Sequence, residues 1–343
     1  MIRVLPSVPS GPWDASPHPA TSASNARTES DSVLWFIMEM GDFSMQPPVP
    51  QGRRPVIVGL GEALWDVFPD RECFGGAPAN FACMASELGG DRAEVHMVTG
   101  VGDDDRGRRA LAALHERRVR TSCVKTTGHP TGHVDVTLDD HGRPDYAIAA
   151  DAAWDHVPWA EGVAELARRT DLVCFGTLGQ RASESRETVR AFVGSTPPSA
   201  FRILDVNLRL PHDDREVVLE SLTRANVLKL SDEELPLISA WCGVEGEPVE
   251  ALAELARRHD LVAVALTRGS DGALLIRAGE VSDCAGVAVD VVDTVGAGDA
   301  FTAAFALGLL TGNDLEAVNR RACEVAAYVC TQSGATPALP TVI

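Results

Sequence analysis

From residue 55 onward, short apolar runs alternate with longer stretches in which apolar side chains recur every three or four positions. Residues 55–60 (PVIVGL) form the first run, bounded by Gly61. An unbroken apolar run of this kind predicts a parallel strand buried on both faces. In residues 78–88, Phe81, Met84, Ala85 and Leu88 fall at helical spacing; Pro78 suits a first turn and Gly89 a stop. The same reading predicts strands over 94–99, 171–175, 202–206, 227–230 and 261–267, with an extended stretch over 287–292. Helices are expected over 105–119 and 300–310, and around 183–193, 214–224, 232–241 and 248–259. This alternation implies an α/β fold, a doubly wound, mostly parallel sheet with helices on both faces.

One stretch departs from the pattern. Residues 131–138 (TGHVDVTL) alternate, His141, Gly142 and Pro144 make a turn, and 146–149 resume an extended pattern. A β-hairpin is expected there. Segments of about 65–75 and 124–150 would then form a small β lid over the mouth of a site in a domain running from 53 to 343. Residues 6–30 are rich in Pro, Ser, Ala and Thr and carry no periodicity. The apolar run 33–38 is too short to span a bilayer and lacks a preceding basic region. Residues 1–52 are read as a disordered extension or a start assigned too early, against the alternative of a targeting or regulatory tail.

With 49 acidic and 30 basic residues the formal net charge is −19, which argues against nucleic acid as a partner, since phosphate backbones need basic surface. A small anionic substrate stays open, because a few local Arg or Lys residues suffice to hold one. The eight cysteines include no C-x-x-C pair, so a zinc site of that kind is not expected, and reduced thiols in a cytoplasmic protein are.

The segment richest in chemistry is 293–301, DTVGAGDAF, which follows an extended stretch and opens an apolar helix. Gly296 and Gly298 let the backbone bend and approach a ligand. The helix start offers free N–H groups and a positive dipole end, an anion site. Asp299 is unusual beside phosphate unless it accepts a proton from whatever attacks that phosphate. A helix N-cap after a glycine turn is the structural alternative. A dinucleotide-binding turn needs a third glycine where Phe301 stands, which disfavours a nicotinamide oxidoreductase, and a Walker A loop is absent.

Residues 293–299 resemble the C-terminal signature of the ribokinase-like (PfkB) carbohydrate kinases, and residues 75–80 (GGAPAN) resemble their N-terminal signature. Gly61-Glu62 with Asp66 is similar to the family's opening strand. Residues 205–209 (DVNLR) and the run 229–234 (KLSDEE) are similar to its fructokinase-like branch, the former shared with 2-keto-3-deoxygluconate kinases. The resemblance implies a ribokinase-like fold and an ATP-dependent sugar kinase, with fructose as the first guess and 2-keto-3-deoxygluconate, ribose or a nucleoside as rivals. It implies Asp299 as catalytic base and Gly296, Ala297 and Gly298 as the anion hole for the transferred phosphoryl. Thr267, Gly269, Gly272 and Ser231 would approach ATP; Asp66, Gly76 and Asn80, with Gly75 beside them, would hold the sugar; Arg209 would reach both substrate and phosphate. Tyr146 in the hairpin either closes over the sugar or packs within the lid. Glu234 would organise Mg²⁺ through water, although Ser231 to Glu234 also reads as a capping box. A K⁺ site would use Asp293, Val295 and Gly334. Lids in this family often pair into homodimers. A catalytically silent sugar- or nucleotide-binding regulator is the competing class.

Other residues take plainer readings. Trp154, Asp155 and Trp159 suit packing at a domain edge, Gln180 and Arg181 a surface loop or a sugar contact, and the basic run 106–109 a solvated helix face.

Overall fold

The computed structural model describes residues 52–138 and 144–340. The expectations for residues 1–51 and for the turn at 141–142 lie outside that range. A nine-stranded sheet forms the centre. Strand β1 (Val56–Leu60) is flanked by β4 (Glu94–Gly102) and β5 (Arg120–Thr127) on one side. On the other lie β8 (Leu172–Phe175), β9 (Phe201–Asp205), β10 (Val227–Ser231) and β11 (Ala263–Thr267). All these neighbours are parallel. Antiparallel β12 (Ala273–Arg277) and β13 (Glu280–Cys284) finish the edge. Strand order reverses between β1 and β8, so a crevice opens at the carboxyl ends of the strands there.

Side chains alternate between two apolar layers. On one face Ile57, Met97, Phe201 and Ile203 meet α1 (Ala77–Gly89), α8 (Ala297–Thr311) and α9 (Leu315–Cys330). On the other, Val58, Val173, Leu204 and Leu228 meet α3 (Glu161–Arg169), α4 (Ser183–Ser195), α5 (Arg215–Arg224), α6 (Leu235–Cys242) and α7 (Pro248–Arg258). Helix α8 is apolar on nearly every side because it lies between the sheet, α1 and α9. Gly308 permits its contact with α9: a Cβ there would stand 2.6 Å from Val318 Cγ2. Truncating the fully buried Phe305 to Ala would cost about 3–5 kcal/mol.

A second sheet runs β3 (Glu72–Gly75), β2 (Leu64–Val67), β6 (Gly132–Leu138), β7 (Pro144–Ile148). Residues 124–127, expected in the lid, belong instead to β5 and pair with β4 in the large sheet. Helix α2 (Asp105–Glu116) is not wholly solvated as expected of its basic run. Arg106 donates to Glu72 at 2.7 Å, Arg109 pairs with Glu72, and the Arg109 guanidinium lies 4.4 Å from the Trp65 ring. These contacts dock the small sheet on the large one.

The extended stretch 287–292 forms no strand. The sheet edge is already finished by β13, and Val291 and Val292 are 62% and 66% exposed. The segment is anchored by the Val292 N–H, which donates to the Cys330 carbonyl at 2.8 Å.

Candidate active site

Several separate stretches converge at the strand ends. After β1 the chain enters Gly61 and Glu62, then returns through β3 to Gly75 and Gly76, which start α1. Gly76 has φ 99, and a Cβ there would stand 2.7 Å from the Glu62 carbonyl, so no other residue fits between β1's exit and α1. This close approach carries Asn80, in the first turn of α1, into the crevice, where it is 4% exposed. Its Nδ2 donates to Asp299 Oδ2 at 2.8 Å. The two glycine-rich motifs, 219 residues apart, therefore meet through one hydrogen bond.

Gly296, at φ 78, precedes α8, and a Cβ there would stand 2.4 Å from the Ala335 carbonyl. The Ala297 amide turns back to the Thr294 carbonyl at 3.3 Å. Among the described residues no acceptor takes the amides of Gly296, Gly298 or Asp299. Those donors sit at the positive end of a long helix, a ready anion cradle. Asp299 keeps a partly exposed side toward the crevice, yet its surroundings desolvate the carboxyl. Burial first, then the Asp205 charge, push its pKa up to about 7, against the Asn80 hydrogen bond and the charges of Lys229 and Arg209.

Below this turn lies a pair that the motif reading did not place in the site. Lys229 and Asp205 are directly opposed in β10 and β9. Lys229 Nζ donates to Asp205 Oδ1 at 3.0 Å, both side chains being under 10% exposed. The Thr302 hydroxyl of α8 lies 3.0 Å from Asp205 Oδ2 and 2.9 Å from the Gly298 carbonyl, its one proton serving one of them. The ion pair thus supports the first turn of α8 from beneath. A signal for it existed: Lys229 occupies an inward position in the apolar strand VLKLS, where a charge needs a buried partner.

Glu62 is the second unassigned member. It is 3% exposed, its Oε2 has no partner, and burial raises its pKa to about 7. Burial likewise raises Asp66 to about 6, with the Arg209 charge opposing. Asp66 Oδ2 lies 3.0 Å from where a Cβ on Gly75 would be. Arg209 is exposed at the mouth; Nη1 donates to the Leu208 carbonyl at 3.0 Å, and its charge acts on Glu62, Asp66 and Asp299.

Ser231 and Glu234 form a reciprocal cap: the Ser231 amide donates to Glu234 Oε2 at 2.8 Å and the Glu234 amide to Ser231 Oγ at 3.2 Å. Glu234 Oε1 also takes the Leu208 amide at 2.7 Å, tying this turn to the Arg209 loop. Thr267, Gly269 and Gly272 form the tight turn after β11 at the same end of the sheet, with the Arg268 amide donating to the Gly272 carbonyl at 2.8 Å. The Asp293 carboxylate receives the Val295 amide at 3.0 Å and the Gly334 amide at 3.1 Å, so those three residues are together. Tyr146 is 56% exposed on β7, and no contact among the described residues brings it to Asp299. Gln180 is turned inward to the Gly176 carbonyl and Ser221, and Arg181 clamps Asp155 over the Trp154 ring.

No helix among the described residues is long and apolar enough to cross a membrane. Residues 69–342 match the model of the pfkB family carbohydrate kinases. The chain is 31% identical over 299 residues to a fructokinase of Klebsiella pneumoniae, covering 82% of this chain and 95% of that one. It is 30% identical to a fructokinase of Escherichia coli, with the same two coverages. Among solved structures, an uncharacterised sugar kinase from Pyrococcus horikoshii in complex with ATP aligns with TM-score 0.70 and 28% identity, covering 82% of this chain and 94% of that one. A Vibrio cholerae fructokinase bound to fructose, ADP and calcium shares the fold at TM-score 0.70 and 24% identity, over 83% and 96% of the two chains. A family match over most of the length, joined to a carboxylate held beside unpaired helix amides, leads to one assignment: this chain belongs to the PfkB family of carbohydrate kinases and is a sugar kinase.

Proposed function

We propose that the chain transfers the γ-phosphoryl of ATP to a primary hydroxyl of a monosaccharide, fructose to fructose 6-phosphate, with Asp299 as base. The observation that carries this reading is the Asn80–Asp299 hydrogen bond, which sets a desolvated carboxylate between the sugar-side motif and the unpaired amides of α8. Asn80 and Asp66 would orient the sugar so that its hydroxyl faces Asp299. In a loose phosphoryl-transfer transition state the proton leaves late, so a carboxylate suffices to accept it. The amides of Gly296 and Gly298, with the Arg209 guanidinium, would offset charge on the moving phosphoryl.

The residues also fit a hydrated Mg²⁺. Glu234 offers oxygen only, and each of its two oxygens, already holding one amide, keeps a lone pair for a metal-bound water. Bound there, Mg²⁺ would neutralise phosphate charge. The Asp293 carboxylate, by fixing residues 293–295 and 334, supports a K⁺ site built from nearby carbonyls. The eight unpaired cysteines support a reducing cytoplasm, and the edge strands of the small sheet suit a lid-to-lid homodimer.

The test is ADP release from ATP across fructose, ribose, 2-keto-3-deoxygluconate and adenosine. Fructose should exceed the others by at least about tenfold in kcat/KM, the discrimination that one well-placed polar contact provides. A preference for another acceptor would remove fructose and keep the kinase. Binding of sugar and nucleotide without ADP release would establish the silent regulator.

A further inference from the structure

Two of the segments that connect the small sheet to the rest of the fold run side by side: residues 128–131 lead out from β5 to β6, and residues 149–152 return from β7. Where they pass each other, three metal-ligating groups meet. His129 lies on the outgoing segment, Asp151 on the returning one, and His156 just beyond it. One ligand atom from each lies within 4.8 Å of the other two. His129 Nδ1 is 3.4 Å from Asp151 Oδ1, and His156 Nε2 is 2.7 Å from the same oxygen. The two imidazoles stack, centroids 3.5 Å apart and planes 10° from parallel.

A fourth group points to a ligand. His156 Nδ1 lies 3.2 Å from Glu184 Oε2, in the first turn of α4. A carboxylate on Nδ1 holds one proton there, so the proton that Nε2 shares with Asp151 is the one a metal ion would displace. That arrangement of carboxylate and imidazole orients metal-binding histidines.

We propose that His129, Asp151 and His156 form a binding site for a zinc-like divalent cation, with Glu184 orienting His156, and that the bound ion fastens the two connecting segments together. Tetrahedral zinc with nitrogen and oxygen ligands at about 2.0–2.2 Å sets its donors roughly 3.3–3.5 Å apart. The separation of 3.4 Å between His129 and Asp151 matches. The shorter His156 contact opens by about half an ångström when the ion replaces the shared proton, and the stacked pair opens as well: at least one partly exposed ring swings by several tens of degrees about its broad χ2 torsion to bring both in-plane lone pairs onto the ion. Three protein ligands leave one position for water. The site stands apart from Asp299 and does not depend on the kinase reading. Two nitrogens and one carboxylate favour zinc over magnesium, which prefers an all-oxygen shell.

The test is calorimetric titration of the full chain with Zn²⁺ and, separately, Mg²⁺ in a phosphine reductant. One Zn²⁺ per chain should bind, with Mg²⁺ silent. His156→Ala and Asp151→Asn should each weaken Zn²⁺ by at least about tenfold, and Glu184→Gln by roughly tenfold. Co²⁺ in place of Zn²⁺ should give visible bands without the strong near-ultraviolet absorption of thiolate ligation, which separates this cluster from the cysteines. With Zn²⁺ bound, amide exchange in 128–132 and 149–156 should slow, a readout independent of turnover. Zinc affinity unchanged in all three variants, thiolate-type Co²⁺ spectra, or no zinc uptake would overturn the proposal.

Discussion

Replacing Asp299 with Asn tests both the chemistry and the electrostatics of the site. Asn keeps the shape and an oxygen for Asn80 Nδ2 to donate to, so sugar and ATP binding should persist. It accepts no proton, so turnover should fall by at least about 100-fold. The second consequence concerns stability. Asp299 titrates near 7 in the folded chain rather than at 3.8, chiefly because burial disfavours its charge. The folded state therefore holds this proton more tightly than the unfolded state, and stability declines as pH rises from about 4 to about 7. At full effect the shift is worth about 4 kcal/mol. Water reaching the carboxyl from the crevice screens this to about 1–2 kcal/mol. Asp299→Asn removes that cost, so the variant should melt roughly 2–8 °C higher than the wild type at pH 8 and no higher at pH 4. Differential scanning fluorimetry across pH 4–8, with ADP release alongside, measures both. Turnover close to wild type would refute the base assignment. A stabilisation equally large at pH 4 would refute the desolvation argument while leaving the base untouched.

Three further outcomes are expected. kcat/KM should rise about tenfold per pH unit up to about 7 and then level, because Asp299 must lose its proton before it can accept another; a profile flat from pH 5 to 7 would contradict this. Lys229→Met should cost about 3–5 kcal/mol in urea unfolding by leaving Asp205 buried and unpaired, and adding Asp205→Asn should restore most of it; an unaffected midpoint would refute the support role. Glu72→Ala releases Arg106 and Arg109 from the small sheet, so the sugar KM should rise about two- to fivefold with kcat little changed, the effect of an exposed pair worth under about 1 kcal/mol.

Much of the architecture was legible because buried parallel strands must be apolar nearly throughout, as 56–60, 172–175 and 263–266 are. The elements that escaped are those whose signals are local or polar. Strand β5 reads RTSCVKTT because it is a half-exposed edge, so no apolar run marks it. The β12–β13 hairpin turns at Ala278 and Gly279, both at positive φ (49° and 83°). That geometry usually declares itself as Asn-Gly or Asp-Gly, and alanine hides it. Helix α9 is not among the expected helices, although Asp314, which accepts from the Ala317 amide, stands at its N-cap. Conversely, the valines at 287–292 mimicked a strand although no neighbour remained to pair with them. At the site, the residues carrying glycine-dependent geometry stood out, because only glycine fits at 76 and 296. Glu62, Asp205 and Lys229 did not, since their meaning lies in strand register and burial rather than in spacing. Ser231 and Glu234 satisfied the capping pattern and a polar site position together, and one sequence cannot separate the two.

The bond between Asp293 and Gly334 links residues 41 positions apart. It makes the short tail beyond α9 a strut for the turn at 293–298, since Ala335 also packs against Gly296. A chain ending at residue 331 would keep both apolar layers, and circular dichroism would report it as folded. The turn that leads to Asp299 would have lost one wall, so an intact far-ultraviolet spectrum is a poor guide to whether a shortened version still works.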